Sequence, residues 1–324
     1  MAKKHLKILV TGGAGFIGSH LINKLLLSGF KVYSIDNHDS PEQKINKKCV
    51  FIKGSILSRR LLNNFFKKNS IDVVIHLAAL IRVDESQKYP QRYFKNNVQG
   101  GVCLLNAMKD FNIDKMVFAS SAAVYGKPKG SLIIENDNLN PHSVYGLTKM
   151  KFEEILAQYN KNYGIKSVSL RIFNASGADP SGKFKERHKP ETHLIPNALK
   201  SLRFDKPIIV FGNDYSTKDG TCMRDYIHVN DISGAFILAI PRLINNQASY
   251  ESYNLSSAKG YSVKQIIDLC SVAMKKDARV LFKDRREGDS PFLVANNLKI
   301  KKELNWKPKY AIKEIISHTI SSLF

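Results

Sequence analysis

In the first half of the chain, apolar residues gather in short runs at 8–10, 31–35, 49–52, 73–77, 115–119 and 167–171. Longer stretches at 19–28, 58–69, 93–111 and 145–163 lie between them and read as helices. Short apolar strands alternating with helices predict an α/β fold, a doubly wound, Rossmann-type parallel sheet with helices on both faces. After Gly177 the pattern gives way to a polar stretch over 179–190 that contains Pro and His, followed by shorter mixed elements. The pattern therefore predicts one regular domain over 1–178, with a return contribution from about 226–243, and a smaller, less regular domain over 179–324. No internal repeat or low-complexity tract interrupts this organisation.

The first strand runs into Thr11-Gly-Gly-Ala-Gly-Phe-Ile-Gly18, and a helix follows. A glycine triplet alone is weak evidence, but strand before and helix after are the context a dinucleotide diphosphate requires. Gly12, Gly15 and Gly18 permit a tight turn and close backbone approach, while the helix offers its amino end to a pyrophosphate. The second strand ends in Asp36, eighteen positions after Gly18, where a carboxylate would hydrogen-bond an adenosine ribose and repel a 2′-phosphate. NAD is therefore expected rather than NADP. His76-Leu-Ala-Ala79 and Asn96-Asn97 are placed beyond the strand ends, facing the same cofactor.

A serine pair, Ser120-Ser121, closes the fifth apolar run, and Tyr145-Gly-Leu-Thr-Lys149 follows. Residues four apart share a helix face, so Lys149 is expected beside Tyr145, favouring the phenolate that takes a proton from an alcohol.

Composition adds boundaries. The 324 residues, 43% hydrophobic and 24% charged, are those of an ordinary globular protein, and no apolar run nears membrane-spanning length. Cys49, Cys103, Cys222 and Cys270 are scattered without a Cys-x-x-Cys pair, so neither a metal site nor a disulfide framework is expected, and the cytoplasm is the simplest address. The formal charge of +22 raises nucleic acid as a partner. Its lysines, however, lie singly and in pairs, with no long basic block. They read as a solvated surface that helps to draw in an anionic substrate.

With these motifs in place, the chain resembles the extended short-chain dehydrogenase/reductases, and among them the UDP-galactose (UDP-glucose) 4-epimerases. The resemblance runs nearly end to end. Besides the motifs above it covers Ser121-Ala-Ala-Val-Tyr-Gly126, Arg171-Ile-Phe-Asn174, Arg187-His-Lys-Pro-Glu-Thr-His-Leu-Ile-Pro196, Phe211-Gly-Asn-Asp-Tyr215, Arg224-Asp-Tyr-Ile-His-Val229, Arg285-Arg-Glu-Gly-Asp289 and Leu304-Asn-Trp306. It implies that Ser121, Tyr145 and Lys149 are catalytic, Tyr145 taking the proton of the sugar 4-hydroxyl while hydride passes to NAD. A transient 4-keto sugar then turns over while its UDP stays anchored, and hydride returns to the opposite face.

The resemblance further implies NAD contacts at Gly12, Gly15, Phe16, Ile17, Gly18, Asp36, Asn37, Ser55, Ile56, Leu77, Ala78, Ala79, Asn97, Ser120, Tyr145, Lys149 and Phe173. For the UDP-sugar it implies Ser121, Tyr145, Asn174, His193, Leu194, Phe211, Arg224, Tyr226, Arg286, Asp289 and Leu293, with the two arginines on the diphosphate and Phe211 on the uracil. It suggests a homodimer formed through the helices at 93–111 and 145–163. The chain departs from the family pattern at Ser55, Ile81, Ala123 and Ile172. Leu293 stands where a tyrosine narrows the sugar pocket in some members, leaving room for an N-acetyl group.

Three other readings are weighed against these residues. A nucleotide-sugar dehydratase would carry an Asp-Glu pair after its serine or threonine, where this chain has Ala122-Ala123. A UDP-uronate 4-epimerase on the same scaffold stays open, although the motifs at 187–196 and 211–215 favour neutral hexoses. A noncatalytic dinucleotide-binding protein holding RNA on its basic surface has no physical need for Ser121, Tyr145 and Lys149 together.

Overall fold

Residues that alternate along most of the short apolar runs face opposite ways and are buried on both sides; the run at 49–52 forms the sheet's edge, with Val50 and Phe51 exposed. Along the first strand Ile8 and Val10 enter one core while Leu9 enters another. In the fourth, Val73 and Ile75 divide from Val74 in the same manner. A sheet with both faces covered produces this pattern. The computed structural model describes residues 6–37, 45–128, 132–182, 184, 191–286 and 289–324.

The main sheet has seven parallel strands: β1 (Lys7–Thr11), β2 (Lys31–Asp36), β3 (Val50–Lys53), β4 (Val73–His76), β5 (Lys115–Ser121), β6 (Lys166–Ile172) and, much later in the chain, β10 (Tyr250–Leu255). Their order is β10-β6-β5-β4-β1-β2-β3, so the direction of winding reverses between β1 and β4. Helices α1 (Phe16–Leu27), α8 (Val229–Ile244) and α10 (Leu298–Leu304) cover one face. The other face is covered by α2 (Arg59–Lys68), α5 (Gly100–Asp110) and α6 (Val144–Tyr163). Two short helices, α3 (Val83–Lys88) and α4 (Pro90–Tyr93), fill the crossing from β4.

The second lobe is built on β9 (Met223–His228), flanked by β7 (Asn174–Ser176), β11 (Gly260–Ser262) and β13 (Phe292–Leu293). A separate pair joins β8 (Ile208–Phe211) to β12 (Val280–Lys283). Their apolar sides meet α7 (Leu194–Arg203), α9 (Val263–Met274) and α11 (Ile312–Leu323) in a third core. The sheet thus draws its seventh strand from beyond the 226–243 return read from the sequence. Tyr253 and Leu255 of that strand are buried in the same core as Val168 and Leu170 of β6.

Candidate active site

The reversal of strand order opens a crevice at the carboxyl ends of β1 and β4, the place where such sheets bind ligands. Gly12 turns the chain there with φ +78°, and a Cβ on it would lie 2.6 Å from the Ala78 amide nitrogen. A Cβ at Gly18 would lie 2.2 Å from the Gly12 carbonyl oxygen. Both glycines are therefore demanded by the turn itself. Gly15 differs: its φ is −73°, and a Cβ would meet only the Gly12 oxygen, at 3.3 Å. Phe16 and Ile17 open α1, whose amino end has no side-chain cap and no acidic residue in its first turn.

Asp36, buried at the end of β2, accepts a 2.8 Å hydrogen bond from the Ala14 amide and so ties the loop to the next strand. The Gly54 amide donates to the Asp36 carbonyl at 2.8 Å, which brings Ser55 and Ile56 beside it. Asn37, next along, is exposed. The Ser55 hydroxyl accepts from the Leu57 amide.

The segment after β4 closes the other side. The Leu77 amide donates to the Thr11 carbonyl at 3.0 Å, and Thr11 Oγ1 sits 2.7 Å from His76 Nδ1. Burial, with the Lys149 charge second, pushes His76 down to about 3, so its ring is neutral. Ala78 and Ala79 continue the segment to Leu80, which Asn97 grips by both backbone atoms: Oδ1 accepts from the Leu80 amide and Nδ2 donates to its carbonyl. Asn97 Nδ2 also reaches Thr148 Oγ1 at 3.2 Å. The single helix expected over 93–111 is instead α4, a π-helical stretch Phe94–Gln99, and α5. The wide turn coincides with the inward-pointing Asn97, as π-bulges at functional sites commonly do.

Ser121 is the last residue of β5, and its hydroxyl accepts from the Ala123 amide, capping the one-turn 3₁₀ helix Ala122–Tyr125. Its neighbour Ser120 is buried. Tyr145 lies in the first turn of α6, where Ser143 caps the helix and the side chains of Gln87 and Ser86, in α3, accept from the Val144 and Tyr145 amides. These groups satisfy helix-end donors that would otherwise be left without partners. Lys149 is buried, donates to the Ala119 carbonyl at 2.8 Å and lies 5.9 Å from the Tyr145 ring centre.

Charge within this trio differs from the expectation. Burial pushes the Tyr145 hydroxyl above the usual phenol range, and its hydrogen bond with Ser121 only partly opposes that. Burial of Lys149, countered in part by Glu153, brings its amine to about 7. The desolvation that brings the two groups together penalises the charge of each.

In the second lobe, Asn174 Nδ2 donates to the Asp225 carbonyl across the β7–β9 pairing, and Tyr226 is buried in the third core. Arg224 Nη1 donates to the Met223 and Ser290 carbonyls, and its Nη2 lies 3.2 Å from Asp289 Oδ1. The Arg286 guanidinium sits 3.9 Å from the centre of the Phe211 ring. Thus Arg224 pairs with Asp289, and Arg286 with Phe211. His193, just before α7, holds Glu191 through Nδ1 at 2.9 Å, and Leu194 packs on the third core. Of the 187–196 motif, positions 187–190 lie outside the described residues.

Leu293 links the two halves of the site. It stands opposite Arg224 in the parallel register of β13 on β9 and packs in a cluster with Ala122, Tyr125 and Phe173. Sequence reasoning missed Glu153 and Arg171, a buried ion pair at 2.7 Å directly behind Ser120. The four-residue spacing of Glu153 from Lys149 was the available signal.

These residues fit a bound dinucleotide: two glycines with no room for a side chain, a third open to approach, an uncapped helix end and a carboxylate closing β2. Among the described residues no cluster of His, Cys, Asp and Glu is arranged for a metal ion. No helix there is long and apolar enough to cross a membrane.

Comparison with known proteins agrees in scale and detail. A family model described as GDP-mannose 4,6 dehydratase matches residues 9–319. The UDP-glucose 4-epimerase of Lactobacillus helveticus is 43% identical over 307 residues, covering 94% of this chain and 93% of its own. A UDP-glucose 4-epimerase from Brucella ovis, solved in complex with NAD, superposes with a TM-score of 0.93 at 37% identity, covering 98% of each chain. That of Bifidobacterium longum, in complex with NAD+ and UDP, superposes at 0.91 and 35% identity, covering 98% of this chain and 97% of its own. With a matching fold over nearly its whole length and the glycine loop, Ser121, Tyr145 and Lys149 gathered at the strand ends, the chain belongs to the UDP-glucose 4-epimerase family.

Proposed function

We propose that the protein interconverts UDP-galactose and UDP-glucose by inverting the sugar at its 4-position, using NAD that it retains through each turnover. The observation that carries this reading is the convergence of Ser121, Tyr145 and Lys149 at the carboxyl ends of the central strands, beside the glycine crevice. When bound, NAD supplies the acceptor that takes and returns a hydride at the sugar carbon, and its oxidised ring brings a positive charge into the site.

The chain's own residues move the proton. Burial disfavours charge on Tyr145, so the proton acceptor is the minor, phenolate form of its side chain. The phenolate then takes the 4-hydroxyl proton and later restores it, while Ser121 steadies the same oxygen. Lys149, at about 7, exchanges a proton near neutral pH without leaving the Ala119 carbonyl. Arg224, Arg286, Phe211 and Asp289 anchor the nucleotide while the hexose turns. Guanidinium forks suit a diphosphate.

Ala122 and Ala123 occupy the turn after Ser121, so no acid follows the serine to promote elimination, despite the dehydratase description of the family model. The chain works as a cytoplasmic homodimer joined through the faces of α5 and α6, where Tyr163 is about half exposed and packs edge-on with Tyr159. The test is to incubate the purified protein with UDP-galactose and NAD, or with NADP in its place, and resolve the sugar products. Appearance of UDP-glucose with NAD and little with NADP is expected. No product with either cofactor would refute the reading.

A further inference from the structure

Behind the Tyr145–Lys149 pair lies a buried ionic centre that the proton transfer does not itself use. Glu153 follows Lys149 by one helical turn, is 1% exposed, and shares its carboxylate among three elements. Oε1 accepts from Ser120 Oγ at the end of β5, and both oxygens accept from Arg171 of β6, the closest contact being Nη2 to Oε2 at 2.7 Å. Arg171 is held in turn by the Tyr125 hydroxyl at 2.8 Å and the Glu135 carbonyl at 2.9 Å, and Tyr125 donates to Asn254 of the seventh strand.

Resting on the epimerase reading, we propose that Glu153 is a positioning residue for that chemistry: it fixes the gap between the end of β5 and α6, and supplies a negative charge that favours the protonated form of Lys149. The geometry requires the first part. Ser120 precedes Ser121, and Glu153 rides the helix that carries Tyr145, so one carboxylate sets the distance between the two ends of the serine–tyrosine hydrogen bond.

The second part follows from what surrounds the amine. Lys149 faces the neutral imidazole of His76 from β4, the phenol of Tyr145 on its own helix, the Phe118 ring and the Ala119 carbonyl from β5. Glu153 is the one carboxylate that acts on it appreciably among the described residues, and Glu153 itself is paired with Arg171, with Tyr125 and Tyr250 nearby. Arg171 pairs with both oxygens of the Glu153 carboxylate.

The test is the pH profile of kcat for UDP-galactose in the NAD-loaded enzyme. Glu153→Gln should move the alkaline limb, where Lys149 loses its proton, down by about one pH unit, the low end of what an opposite charge one turn away produces. Glu153→Asp keeps the charge and shortens the reach, so it should lower kcat with the limb in place. A Gln variant that folds, retains NAD and shows the wild-type profile shape would overturn the proposal whatever its kcat. If the Gln variant does not fold, Ser120→Ala decides. Loss of roughly threefold or more in kcat at unchanged KM supports the positioning role, and an unchanged kcat overturns it. A wild-type protein inactive on UDP-galactose would instead refute the epimerase reading.

Discussion

Two neighbouring glycines separate what the fold needs from what the ligand needs. Replacing Gly12 by Ala forces a left-handed residue, φ +78°, at a cost of about 1–2 kcal/mol. The new methyl also lies 2.6 Å from the Ala78 nitrogen and 2.9 Å from the Leu77 carbonyl carbon. The 77–78 backbone must retreat, which loosens the Leu77 amide bond to the Thr11 carbonyl and the Ala78 amide bond to the Thr11 hydroxyl, each worth about 1 kcal/mol. The total, about 3–4 kcal/mol, is a large share of the ~5–15 kcal/mol that holds a protein folded. It should lower the melting temperature of NAD-free protein by about 5 °C. Gly15→Ala makes only one tight contact, at 3.3 Å, in a backbone conformation open to any residue. Its melting temperature should stay within a few degrees of wild type, yet NAD affinity, titrated calorimetrically on stripped protein, should fall about tenfold or more, or 1.4 kcal/mol. If Gly15→Ala binds NAD as tightly as wild type, the glycine loop is not the diphosphate cradle.

Tyr145→Phe should cut turnover by roughly two to four orders of magnitude while UDP binding persists, and near-normal turnover would remove Tyr145 from the chemistry. Arg224→Ala and Arg286→Ala should each raise KM and make free UDP a poorer inhibitor; unchanged UDP inhibition in both would make these arginines structural. Leu293→Tyr should suppress turnover of UDP-N-acetylglucosamine and largely spare UDP-glucose, because the added ring projects from the cluster at Ala122 and Phe173; a wild type active on UDP-galactose but inert towards N-acetylated substrates would refute that gate. His76 titrates at about 3 when folded, against 6.5 in the unfolded chain. The unfolded state therefore binds the extra proton as pH falls below 6.5, and stability drops by up to about 1.4 kcal/mol per pH unit. Urea unfolding at pH 5 and 7.5 should show a loss that His76→Gln reduces, and an equal loss in the variant would place the acid sensitivity elsewhere.

The parts of this molecule legible in its sequence are those set by local rules. Short apolar runs gave strands within a residue or two of their ends, and Gly12, Gly18 and Asp36 carry their constraints in residue type and spacing alone. What stayed hidden depends on partners distant in the chain. The π-helical turn at 94–99 coincides with Asn97 gripping Leu80, seventeen residues away, and no periodicity within 93–111 announces it. Helix α3 is six residues long and mostly polar, and its importance lies in capping α6. Spacing correctly put Tyr145 and Lys149 on one helix, but their proton affinities follow from burial, which only the assembled site shows.

The seventh strand has a consequence for how the molecule is made. A ribosome delivers β1 through β6 first, and at that stage one side of the sheet, with Leu21, Ile22, Val168 and Leu170, lacks Phe236 and Ile240 of α8 and Tyr253 of β10, which share its core. β6 also waits, some eighty residues of synthesis, for the strand that pairs along its outer edge from Ser167 to Ile172. Exposed apolar surface and an open strand edge are the two features that invite aggregation during folding. The nucleotide-binding half is therefore expected to complete its fold only late in translation, and a nascent chain stalled before Leu255 is the species most in need of a chaperone.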